Sequence, residues 1–143
     1  MKPRKSVTTA RIVLGVLFVA GPLTAAFHLA PEPTLAPRAA AFMNALTRSG
    51  YMLPLLWTTE IAAGLLLLSG VFAPLGLLIL APVLVNIAAF HFFLAPNAAV
   101  PAVLACALET FLAWQYRDEF APLFRSPASR RESRSRETSR AVA

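Results

Sequence analysis

Of 143 residues, 57% are hydrophobic and only 14% charged, yet the net charge is +6. A soluble globular domain carries about 25% charged residues, so this composition excludes one, and the length allows a single domain. The placement of the charges is therefore more telling than their number.

Residues 1–11 hold Lys2, Arg4, Lys5 and Arg11 with no acid, a net +4. Residues 125–143 hold six Arg against Glu132 and Glu137, again +4. The stretch between them is net −2, and from Arg48 to Arg117 the only other charged residues are Glu60 and Glu109. The basic excess sits in two tails around an apolar body, which is the pattern of a membrane protein.

A helix needs about 20 mainly apolar residues to cross the hydrocarbon core. Four runs meet this in chain order, at about residues 12–30, 51–70, 74–95 and 98–116. They are separated by Pro31 and Pro33, by Ser69-Gly70 with Pro74, and by Pro96-Asn97, all chain-punctuating residues. The last two connections are short, and short connections force antiparallel neighbours. The expected fold is an all-α antiparallel four-helix transmembrane bundle, residues 12–124, between a basic N-terminus (1–11) and a tail (125–143).

The first run also resembles a cleavable signal peptide: Lys2, Arg4 and Lys5 precede it, and Thr24-Ala25-Ala26 could be a cleavage site. It continues to Ala30, however, beyond the roughly 7–15 residues of a signal's apolar region, so retention is expected. In the following loop, Ala39, Phe42, Met43 and Leu46 recur at helical spacing, with Pro37 suited to a first helical position and Gly50 to a stop. This predicts a short amphipathic helix on the outer surface or capping the bundle.

Lys and Arg flanking the spans belong on the cytoplasmic side. With an even number of spans, the N-terminal cluster and Arg117, Arg125, Arg130 and Arg131 agree in placing both termini there. Tyr51 at one end, and Trp114 and Tyr116 at the other, suit interfacial aromatic belts. The Arg/Ser-rich tail has no large apolar residues to bury and is expected to be disordered. Beside a membrane its natural contact is anionic lipid rather than nucleic acid. Cys106 stands alone between alanines, which excludes a disulfide or thiolate metal site and suggests a small packed hydrophobe.

The polar residues inside the spans carry the functional question. An acid at the centre of a span costs on the order of 2.5–3.5 kcal/mol on insertion scales, so it turns toward the bundle or a cavity. Glu60 shares a helical stripe with Trp57, Ala63 and Gly64, and Glu109 one with Ala102, Ala105, Cys106 and Ala113. Small residues of this kind let helices approach closely. Counted from the outer ends of the spans, Glu60, Asn86 and Glu109 fall at similar depth, with His28 and His91 nearer the surface. The expectation is a polar column of these five residues, open to the outside. Asn86 and His91 are about 140° apart around one helix, so both reach the column only if the helix kinks, for which Pro82 is a candidate.

Such a column could hold the carbonyls of a quinone head group and exchange its protons. It could also form a proton or solute path, or simply hydrogen-bond helices together, each glutamate pairing with Asn86 or a backbone carbonyl. No metal site is expected, because neither histidine has a close ligand partner at i+3 or i+4 on its own helix. No nucleotide, haem or Ser-His-Asp pattern is present.

Three segments carry a family resemblance: Thr59-Glu60-Ile61-Ala62-Ala63-Gly64-Leu65-Leu66-Leu67-Leu68-Ser69-Gly70, Ala81-Pro82-Val83-Leu84-Val85-Asn86-Ile87-Ala88-Ala89-Phe90-His91, and Leu108-Glu109 with Ala113-Trp114-Gln115-Tyr116-Arg117-Asp118. They resemble the DoxX family over roughly residues 11–124. That resemblance implies a small four-helix integral membrane protein of the bacterial inner membrane, a subunit or accessory of quinone-linked redox metabolism. The implied ligand is a quinone, with no intrinsic cofactor evident. The implied partners are the lipid bilayer and redox subunits or a second copy of the chain. The alternatives are a structural or assembly factor without its own ligand, and a small-solute carrier.

Overall fold

The computed structural model describes residues 5–31 and 34–124. Within them the chain is helical: α1 (Lys5–Ala26), α2 (Pro37–Arg48), α3 (Met52–Ser69), α4 (Ala73–Phe93), α5 (Val100–Gln115) and the single turn α6 (Arg117–Phe120), with 3-10 turns at Pro96–Ala98 and Ala121–Phe124. The Arg/Ser-rich tail and the first basic residues lie outside the described residues.

Helices α1, α3 and α4 are each long and apolar enough to cross a membrane. Helix α5 has 16 residues, about 24 Å against a hydrocarbon core of about 30 Å. It packs on both α1 and α4, and α3 packs on the other side of each. The result is the antiparallel four-helix bundle that the hydropathy pattern predicts. Its core runs along the axis through Leu14, Phe18, Leu67, Leu77, Leu80 and Leu112, all nearly or fully buried. The outside is as apolar as the inside: Val16, Leu55, Leu65, Val85, Phe93 and Leu104 are all exposed. On a protein in water such surface would form an oversized apolar patch; facing lipid tails it carries no penalty.

The α1–α3 contact is a close one, because glycines meet across it. A Cβ on Gly64 would stand 2.9 Å from the Gly15 carbonyl oxygen and 2.8 Å from Val19, and one on Gly15 would stand 3.0 Å from the Gly64 carbonyl oxygen. Without a hydrophobic drive between helices in lipid, this close backbone approach supplies the van der Waals contact that holds them.

Helix α1 begins at Lys5, earlier than the apolar run suggests, and ends at Ala26, four residues short of it. At its start, Val7 and Ala10 are buried against the bundle, so the helix gains packing by running back into the basic segment. Arg11 is then carried inside the fold. Its Nη1 donates to the Leu67 carbonyl at 2.7 Å and, more weakly, to Leu68 at 3.5 Å. The Leu67 carbonyl also accepts from the Gly70 N–H at 3.2 Å, so Arg11 adds a second donor at the C-terminus of α3, where a cation also meets the negative end of the helix dipole. Gly70 closes that end at φ 75°, a left-handed conformation that favours glycine, and a Cβ there would collide with the Arg11 guanidinium. Arg11→Met is expected to lower stability by about 1–2 kcal/mol through loss of a charge-assisted bond to a half-buried carbonyl. Thermal unfolding in detergent, followed by tryptophan fluorescence, measures it.

At its other end α1 stops by backbone geometry. The Leu29 N–H donates to the Thr24 carbonyl at 2.9 Å and the His28 N–H to Ala25 at 3.3 Å, with His28 at φ 51°. This is the Schellman pattern with histidine in the position usually given to glycine. His28 is thus in the turn after the helix rather than on it.

Helix α2 forms at that same end as expected, with Pro37 in its first turn and Gly50 at φ 76° beyond it. Ala39 is buried, and Phe42 stacks on Phe90 of α4 with ring centroids 5.7 Å apart. The helix caps the bundle edge. At the opposite end, Arg117 sits 5.2 Å over the Trp114 ring and donates to its carbonyl at 2.9 Å, an exposed cation–aromatic pair suited to a membrane interface.

Candidate functional site

Helical spacing puts Glu60 on the buried stripe of α3 with Ala63, Gly64 and Leu67. Its carboxyl cannot turn to lipid without rotating the glycine contact out of register. Despite its charge-bearing side chain it is only 8% exposed, and it opens into a cavity of about 270 Å³ bounded by α1, α3, α4 and α5. The walls are mostly apolar, from Leu17 and Phe18 on α1 through Ile87 on α4 to Ala102 and Ala105 on α5, and the cavity is open rather than enclosed. His91 of α4 is the other ionisable residue in the wall.

Depth follows from helical rise. Glu60 is eight residues from the start of α3, about 12 Å, and His91 two residues from the end of α4, about 3 Å. One carboxyl therefore lies deep and one imidazole near the mouth. His91 Nδ1 is 2.8 Å from the Ile87 carbonyl oxygen, so it must carry the proton in that contact. Nε2 is left to act as an acceptor when the ring is neutral and as a donor when it is cationic. Phe90 packs edge-on to the imidazole at 5.2 Å and, with Ile87, restricts its orientation.

Two further features come from the structure and were not read as functional from the sequence. Trp57, one turn before Glu60, lines the cavity. Pro22 lies inside α1 and is buried. It has no N–H to return to the Phe18 carbonyl, and both Phe18 and Pro22 stand in the cavity wall. The signal was present in the sequence as a proline within an otherwise unbroken apolar run.

The five expected residues do not form one column. Glu60 and His91 share the cavity. Glu109 faces inward on the buried stripe of Ala102, Ala105 and Leu112, but it lies a further turn along α5 from Ala105, about 6 Å, and is not in the cavity wall. It is also only 8% exposed, and its Oε2 is fully buried with no hydrogen-bond partner. Asn86 is exposed on the outer face of α4, its Nδ2 reaching only the Pro82 carbonyl at 3.5 Å. Pro82 is exposed on that face too, so it does not turn Asn86 inward, and the five-residue offset from His91 decides the matter. His28 is exposed in the turn after α1 and does not line the cavity. Cys106 is half-buried beside the core. Among the described residues no three His, Cys, Asp or Glu side chains converge as a metal-holding group.

The DoxX family model matches residues 6–94, well over half of the chain. The chain belongs to the DoxX family. The match runs from α1 to the end of α4, so the DoxX region includes the glycine contact, Glu60, Asn86 and His91, while Glu109 and the Trp114–Asp118 segment lie beyond it. No curated protein and no solved structure matches this chain. Membership of this family, the bundle and its lipid-facing apolar surface make it a multi-pass integral membrane protein.

Proposed function

We propose that this DoxX-family chain is a subunit or accessory of quinone-linked redox metabolism, and that the cavity between its four long helices receives a quinone head group. The observation that carries this reading is the pairing of Glu60 and His91 in one otherwise apolar cavity of about 270 Å³. Ligand pockets are typically apolar with a few placed polar groups, and this volume suits a single substituted ring, with an isoprenoid tail left to the lipid. A quinone offers two carbonyl acceptors, and its quinol two hydroxyl donors. In its protonated form the Glu60 carboxyl donates to a carbonyl. Nε2 of a cationic His91 does the same, and neutral Nε2 accepts from a hydroxyl. The two side chains can therefore hold either redox form and pass the proton that distinguishes them. Electrons would come from a partner subunit.

The same reading places the protein in the bacterial inner membrane. The end that carries Lys5, Arg11 and Arg117 faces the cytoplasm, and the cavity end, with α2, faces outward. Helix-gluing by the polar residues has less support, since Asn86 is turned away from both glutamates and Glu109 Oε2 is unpartnered.

Gentle extraction followed by mass spectrometry is expected to find quinone bound to the wild-type protein, together with redox subunits. Glu60→Leu, which removes one hydrogen-bond donor, is expected to weaken quinone binding about 2- to 12-fold with the fold retained. Absence of quinone from the wild-type extract refutes the reading. So does unchanged affinity in Glu60→Leu accompanied by a loss of thermal stability, which would make Glu60 a structural residue.

A further inference from the structure

Asn86 lies about 20 Å along α4 from its start and about 10 Å from its end, deep within the span and facing outward. Two exposed hydroxyls on the spans are satisfied by their own helix: Thr58 donates to the Pro54 carbonyl at 2.7 Å and Thr110 to Cys106 at 2.8 Å. Asn86 has two N–H donors and a carbonyl acceptor, and its intrahelical contact is the single 3.5 Å approach to Pro82. The surface around it is otherwise apolar, with Ala81, Pro82, Val85 and Ala89 exposed beside it and Phe93 two turns further on. Pro82 also lacks the N–H that would bond the Leu78 carbonyl, and Leu78 is exposed as well. This face is thus polar at one point and flat enough for a second helix to approach.

We infer that the outer face of α4 is a homodimer interface in which Asn86 bonds Asn86 of a second copy. Insertion gives every copy the same orientation, so two copies are related by a two-fold axis along the membrane normal. A residue on the contact face then meets its own counterpart at the same depth. A carboxamide is self-complementary in that setting, each N–H donating to the other copy's C=O. Ala81 and Ala89 allow the approach that the bond requires. The interface is on the outer face of α4, so the cavity of Glu60 and His91 remains accessible in the dimer.

The test uses the full chain in native membranes, with Cys106→Ala as background. Val85→Cys and Ala89→Cys, on the Asn86 face, are expected to give an oxidatively cross-linked band at twice the monomer mass, whereas Leu65→Cys on the exposed side of α3 is not. In vesicles of increasing lipid-to-protein ratio, Asn86→Leu is expected to raise the dissociation constant roughly 5- to 30-fold, and Asn86→Gln, which keeps donors and acceptor, to stay within about 3-fold of wild type. Cross-linking to a different polypeptide at Val85 or Ala89 overturns the inference. Equal cross-linking at Leu65, a protein that stays monomeric at high density, or an Asn86→Leu dimer as tight as wild type does so as well.

Discussion

Glu109→Leu is expected to make the protein more stable, by about 1–3 kcal/mol in thermal unfolding in mild detergent. Glu109 sits between Ala105 and Leu112 on the buried stripe of α5, and its Oε2 is buried with no partner. An unsatisfied polar group in an apolar interior costs about 1–3 kcal/mol, and leucine of similar volume removes that cost without opening a cavity. The sign separates two roles. A carboxyl that holds helices together loses stability when replaced, as does any partner it leaves behind. A carboxyl retained for proton handling gains stability and loses function, the exchange expected when activity requires a destabilised group. A melting temperature equal to or below wild type rules out the second role for Glu109. Combined with the quinone measurement, the same variant shows whether proton traffic at the cavity depends on an acid one turn beneath it.

The second large effect lies in the glycine contact. Gly64→Leu is expected to lower stability by about 3 kcal/mol or more, and Gly64→Ala by about 1–2 kcal/mol, because overpacking of a tight core costs typically 1–3 kcal/mol and exceeds the gain of up to about 1 kcal/mol from replacing glycine within a helix. The atom in the way is the backbone carbonyl oxygen of Gly15, 2.9 Å from the new Cβ, which cannot rotate aside as a side chain can. Gly21→Ala on the same helix as Gly15 is the control. No atom lies within 4 Å of a Cβ there, so the helix-propensity gain stands alone and the expected change is a small stabilisation. Thermal unfolding of the three variants under one condition tests the contrast. Equal responses at Gly64 and Gly21 would mean that α1 and α3 are not held by backbone contact.

Much of this was legible in the residue order. Proline, glycine and the spacing of apolar runs placed four helices and the short α2, since each of those signals is local. The inward direction of Glu60 and Glu109 was also legible, because both lie on stripes with small residues and a helix has only one period. Asn86 and His91 show the limit. Depth along a span can be counted from a sequence, but the direction of a side chain around the axis depends on which face of α4 meets its neighbours. The face of Leu77, Leu80 and Leu84 won that contact, leaving Asn86 outside. His28 was misplaced for a related reason: its position depends on where α1 stops, and a Schellman turn with a left-handed histidine is not marked by the glycine that usually announces one. Arg11 was counted only as a topology charge, since its partner carbonyls are 56 residues away in the chain.

The +6 charge on a largely apolar chain, the lengths of the spans and the lone acids within them are properties of composition and order, and they determined by themselves that this is a membrane bundle with a polar question at its centre. The tertiary structure decided which polar residues share a site. Side chains meet only where helix faces are turned together, and in lipid those faces are selected by backbone approach at Gly15 and Gly64 and by the fit of aliphatic side chains, long-range contacts that no local pattern encodes.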